Sequence, residues 1–115
     1  MYLLQWNSDE GKLEASLGGV ITKGEAEVLL EDIKEALTQI DGDFDFILDT
    51  SVVKRFELGA TDELDRARKY ARLHGAKRLT VVARDDREAE SLTTQNLQSV
   101  LEGWCAFVTV DSLAA

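Results

Sequence analysis

Few side chains in this 115-residue chain have the type and spacing to do chemistry. Asp49 closes a short apolar run, Phe44, Phe46, Ile47 and Leu48, about the length of a buried strand. An aspartate at the end of a strand suits a phosphoryl acceptor, but that reaction also needs an acidic pair to hold magnesium and a lysine on the last strand. Asp9 and Glu10 fall in a turn, and the last apolar run, Cys105 to Val110, contains no lysine. Asp49 therefore reads as structural, accepting from loop amides. Asp41, Asp43 and Asp45 alternate as calcium-loop carboxylates do, yet Phe46 and Val52 stand where that loop needs glycine and glutamate. His74 has no ligand set beside it in sequence and reads as a helix-end histidine. Cys105 is the only cysteine and reads as a small buried hydrophobe. A cysteine nucleophile with His74 as base would require the two to meet in space. Arg66, Arg68, Lys69 and Arg72, with Lys77 and Arg78, are the one concentration of positive charge. They read first as a solvated face with the pairs Asp62–Arg66 and Asp65–Lys69, and alternatively as a docking stripe for an acidic partner. Ser51, Thr61, Thr93 and Thr94 read as capping or loop hydroxyls. No catalytic constellation, metal set or cofactor motif emerges, so a non-enzymatic role is expected.

The elements that must position these residues follow from periodicity. Tyr2, Leu4 and Trp6 alternate with Leu3, Gln5 and Asn7, turn residues occupy Ser8 to Gly11, and alternation resumes at Leu13, Ala15 and Leu17. This predicts an antiparallel hairpin. Thr22 and Glu25 have capping-box spacing, with each side chain expected to satisfy the other's free amide. Ala26, Leu29, Leu30, Ile33, Leu37 and Ile40 then share one helical face, closed by Asp41 and Gly42. A third strand runs from Phe44 to Leu48, with an irregular segment from Thr50 to Ala60. A second helix is expected from Thr61, the residue placed as its cap, to a stop at Gly75. Leu79 to Ala83 reads as a central strand. A third helix, capped at Asp85 or Asp86, puts Ala89, Leu92, Leu97, Val100 and Leu101 inside and ends at Gly103. Cys105 to Val110 is the last strand, and Asp111 to Ala115 leave room for one turn. The order β-β-α-β-α-β-α-β predicts a single α/β domain over residues 1–115, with a mixed, mostly parallel five-stranded sheet and three helices.

Composition narrows the partners. Hydrophobic residues make up 44% and charged residues 30%, ordinary for a globular chain. A net charge of -9 argues against nucleic acid, which requires a basic face, and against anionic membrane surfaces. No apolar run approaches the roughly 20 residues that span a bilayer. The opening MYLLQWNSDE lacks a basic start and a cleavage site, so no signal peptide is expected. With one cysteine and no intrachain disulfide, the composition predicts a cytoplasmic protein.

One motif carries a family resemblance. Ile47-Leu48-Asp49-Thr50-Ser51-Val52-Val53, followed by Phe56-Glu57, is similar to the central motif of the STAS domain. That motif is a hydrophobic pair, D-x-S-x-V, then a hydrophobic-acidic pair and S-S-G before the second helix. The chain resembles this family, which includes anti-sigma factor antagonists, sulphate-transporter tails and stressosome subunits and whose fold is called SpoIIaa-like. The resemblance covers essentially the whole chain. In the antagonists the second serine of S-S-G accepts phosphate from a partner kinase. Gly59 stands there, between Leu58 and Ala60, so the resemblance implies a branch without the phospho-serine switch.

What the resemblance implies is a bacterial, regulatory protein-interaction domain. An anti-sigma-type kinase or another regulatory protein would contact Asp49, Ser51, Lys54, Arg55, Phe56, Glu57, Gly59 and Thr61. The first alternative is a small-molecule or lipid-binding domain, with an apolar cleft between that segment and the last strand. A response-regulator-like or other enzyme-associated domain is the third. The sequence fixes neither the partner nor the oligomeric state.

Overall fold

The structure, a computed structural model, describes residues 1–111. Five strands form one sheet: β1 (Tyr2–Asn7), β2 (Lys12–Ile21), β3 (Phe44–Phe56), β4 (Ala76–Val82) and β5 (Cys105–Val108). They lie side by side in chain order, β1 antiparallel to β2 and the remaining pairs parallel. The helices are α1 (Lys23–Leu37), α2 (Ala60–Leu73), α3 (Asp86–Gln95) and α4 (Leu97–Leu101). Because β2 through β5 always step the same way across the sheet, right-handed crossovers put the helices on one face. That face is the alternating set Leu13, Ala15, Leu17, Phe44, Phe46, Leu48, Leu79, Val81, Cys105 and Phe107, all in one core cluster. Ala26, Leu29, Leu30 and Ile33 of α1 and Leu64, Ala67 and Ala71 of α2 close over it. The opposite face carries polar rows such as Asn7, Lys12, Asp45 and Arg78, which the strand register lines up.

The mostly parallel five-stranded sheet agrees with the expectation, and four local features differ. First, β3 does not stop at Leu48. It continues to Phe56, because β2 offers a partner beyond β4's reach: Gly18 lies beside Val52, Gly19 beside Val53 and Ile21 beside Phe56. Two register shifts at Gly18 to Val20 let the pairing continue, with Gly19 at a φ of 70° that glycine adopts freely. The segment expected to be irregular from Thr50 is therefore mostly a two-stranded ribbon.

Second, α2 begins at Ala60, with Gly59 rather than Thr61 in the capping position. Gly59 turns the chain at φ 88°, so the helix starts early and Thr61 falls within the first turn, with its hydroxyl unbonded among the described residues. Third, the expected third helix breaks at Asn96 into α3 and α4. Thr93 and Thr94 donate back to the carbonyls of Ala89 and Glu90, and the Asn96 amide side chain donates to the Leu92 carbonyl. Such bonds compete with helix continuation. Leu97 and Leu101 are consequently exposed rather than inward.

Fourth, the capping box at α1 is only half made. Thr22 Oγ1 accepts from the Glu25 amide at 3.1 Å, but the Glu25 carboxylate pairs with the Met1 ammonium at 2.6 Å. The helix winds down through Thr38 and Gln39, whose amides reach back to Glu35 and Ala36, before the Asp41–Gly42 stop expected from sequence. At the other end β5 stops at Val108 and Val110 is helical. The turn expected over Asp111 to Ala115 lies, from Ser112 on, outside the described residues.

Candidate functional site

Asp49 sits where β3 leaves β4 and continues with β2 alone. Its Oδ1 accepts from the Ser51 amide at 2.9 Å and from the Ser51 hydroxyl at 2.6 Å. Asp49 thus holds the chain at the root of the ribbon, the structural role read from sequence. Asp9 and Glu10 lie at the other end of the sheet, since Lys12 pairs with Asp45 while Ser16 pairs with Asp49. Asp45 faces Arg78, with Nε 3.6 Å from its carboxylate. Among the described residues no group of three His, Cys, Asp or Glu side chains could hold a metal ion.

The ribbon presents the rest of the sequence-derived site. Lys54 and Arg55 are exposed, and Arg55 approaches Glu57 at 4.0 Å. The Glu57 amide donates to the Ile21 carbonyl, closing the ribbon, and its carbonyl accepts from Ala60 as α2 begins. Val52 is 71% exposed and Leu58 98% exposed. Val52 adjoins Leu3, Val20 and the flat Gly18–Gly19 pair, which together form an apolar patch with Met1. Glycine is favoured at position 59 by its φ of 88°; a Cβ there would also meet Lys23 Cδ at 2.9 Å, a contact the exposed lysine side chain can relieve by moving.

Phe56 and Thr61 turn the other way, into a cleft of about 570 Å³ between α2 and α3. Its floor is Leu48, Val81 and Phe107 from three adjacent strands, with Leu64 and Leu92 on the flanking helices. The buried Thr50 hydroxyl donates to the Val82 carbonyl at 3.0 Å beside this floor. Arg68, Arg84 and Arg87 line it with Asp85 and Glu88. This is where the first alternative placed an apolar cleft, between the β3–α2 segment and the last strand. Sequence reasoning missed its cations: Arg84 and Arg87 follow β4 with no periodic signal, and Arg68 reads as part of an exposed stripe.

That stripe is not one surface. Arg66 pairs with the buried Glu63 at 2.5 Å and Arg68 with Asp65 at 2.6 Å, replacing the pairs expected with Asp62 and Lys69. Arg72 lies 4.6 Å from the Trp104 ring and 3.2 Å from Glu102. His74 stacks on Tyr70 at 4.2 Å, and no hydrogen bond or ring contact joins it to Cys105 among the described residues. Burial pushes the Cys105 thiol up, partly opposed by Arg68 and Arg72. A raised thiol is a poor nucleophile.

Comparison with solved structures decides the fold. An uncharacterised protein of the DUF3478 family from Shewanella loihica PV-4, with a SpoIIAA-like fold, superposes with a TM-score of 0.69 at 17% identity, covering 93% of this chain and 83% of that one. The anti-sigma factor antagonist SpoIIAA in its unphosphorylated form superposes with a TM-score of 0.61 at 13% identity, covering 99% and 94%. The fold is SpoIIAA-like. No protein-family model matches the chain, and no curated protein matches it by sequence. Within the SpoIIAA-like frame, the ribbon and the first turn of α2 are the segment that the STAS-like motif, from Ile47 to Glu57, runs into. No helix among the described residues is long and apolar enough to cross a membrane.

Proposed function

We propose that this chain is a single-domain, non-enzymatic regulatory interaction module of STAS type, acting in the bacterial cytoplasm without a phospho-serine switch. Its partner is a regulatory protein, of the anti-sigma kinase class or another. The partner binds across Asp49, Ser51, Lys54, Arg55, Phe56, Glu57, Gly59 and Thr61. One observation carries this reading: the ribbon and its exit leave Val52 and Leu58 in solvent, Val52 in a shallow hollow shared with Leu3, and the exposed cations Lys54 and Arg55 lie between them in the chain. Exposed apolar side chains set among charges are a usual mark of a protein contact. The likeness to SpoIIAA, an anti-sigma factor antagonist, supports the class of partner. The acidic composition and lone cysteine support the compartment.

Site-specific photocrosslinking tests it. A crosslinker at Leu58 in the native host is expected to trap one discrete protein adduct, lost when Val52→Asp is added. The same crosslinker at the exposed Glu90 on α3 is expected to trap none. Equal adducts from both positions, or none from Leu58, would overturn the reading.

A further inference from the structure

We infer that the cleft between α2 and α3 is a binding site for a small monoanion with an apolar body, of the class of medium-chain or aromatic carboxylates. The volume, about 570 Å³, falls within the roughly 300–1,000 Å³ of small-molecule sites. Leu48, Val81 and Phe107 make an apolar floor, and the helices on either side do not close over it. An apolar ligand body gains by covering such a floor.

The sign of the ligand follows from which charges are already used. Asp85 caps α3, its Oδ1 accepting from the Glu88 amide at 2.8 Å. Glu88 is held by Arg84, with Oε2 2.9 Å from Nη2 and Oε1 accepting from the Arg84 amide at 3.3 Å. Both acids are thereby committed. Arg87 forms no ion pair among the described residues, although it lines the same cleft. Arg68, 20% exposed, gives one Nη to Asp65 and borders both this cleft and a second hollow beside Cys105, so the uncommitted positive charge of the cleft is that of Arg87. The Thr61 hydroxyl stands free at the mouth, and the N-termini of α2 and α3 both flank the cleft, adding positive potential. The chain as a whole carries -9, so this local preference for an anion opposes the protein's general field and is built into the cleft itself.

An NMR titration of the full chain with octanoate, octanol and octylammonium tests the site. Octanoate is expected to move the methyl resonances of Leu48, Leu64, Val81 and Leu92 saturably. Octanol should bind about tenfold more weakly, the loss of one charge-assisted contact. Octylammonium should not bind. Arg87→Gln, at an exposed and unpaired position, should weaken octanoate about tenfold while leaving octanol unchanged. Ser91→Trp, which fills the mouth from α3, should abolish both. Octanol as tight as octanoate, no effect of Arg87→Gln, or shifts centred on Leu3 and Val52 would each overturn the inference. The crosslink from Leu58 reads a separate surface, so either proposal can fail without the other.

Discussion

Gly59 shows how one residue carries both a conformation and an absence. It stands at φ 88° in the capping position of α2, with Lys23 packed where a side chain would begin. Gly59→Ser, which would place a hydroxyl at the start of α2, is expected to destabilise the fold by about 1–2 kcal/mol, the cost of a left-handed conformation for a residue with a Cβ. Urea denaturation measures it, and an unchanged midpoint would show that the loop relaxes freely. A hydroxyl at this position is thus coupled to backbone geometry and cannot be introduced by one neutral change. Tyr2 is a second residue whose environment matters. Burial, and then its hydrogen bond to the Asp32 carboxylate, push the phenol up to about 12. Folding therefore favours the protonated phenol. Its contribution is complete below about pH 10 and is lost as pH rises towards 12. Wild type should be more stable than Tyr2→Phe near neutral pH, and the gap should close across that window in paired urea melts.

Among the elements, α3 and α4 are held least. α3 buries only Ala89 and α4 buries none of its residues, whereas α1 buries Ala26, Leu29, Leu30 and Ile33. Local opening is cheapest where few apolar contacts are lost. Amide hydrogen exchange is expected to run fastest along α3–α4 and slowest along α1 and β3. Protection of α3 equal to that of α1 would show packing that the burial pattern does not provide. The same looseness leaves the α2–α3 cleft open, so an occupant of the cleft should slow exchange in α3 first. The ribbon behaves oppositely. Its backbone groups are tied into β2, so the proposed partner surface rides on hydrogen-bonded strands rather than on a loop.

At the scale of the whole molecule, sequential strand order with same-handed crossovers leaves one sheet face under helices and the other bearing polar rows. Both proposed sites lie at the edge where the strands end, where the ribbon and its exit leave Val52 and Leu58 exposed while Phe56 and Thr61 line the cleft. One short segment therefore borders both proposed sites, and a ligand in the cleft lies next to the surface a protein partner would use.

Period and punctuation in the sequence determined the order of elements along the chain, the hairpin and the core. Alternation at Tyr2–Leu17 and the helical spacing from Ala26 to Ile33 are local signals that burial obeys. Glycine at position 59 was equally legible. Tertiary structure alone decided the rest. Ser51 to Phe56 became strand because Gly18 to Ile21 lie beside them, a pairing that links residues far apart in the chain and needs two register shifts no local pattern announces. Thr61 lost the capping role because Gly59's turn placed the cap two residues sooner. Arg68, Arg84 and Arg87 converge on one cleft because two crossovers bring α2 and α3 together over the same three strands. Spacing along a chain reports which face a residue is on; which other face it meets depends on contacts that only the closed fold supplies.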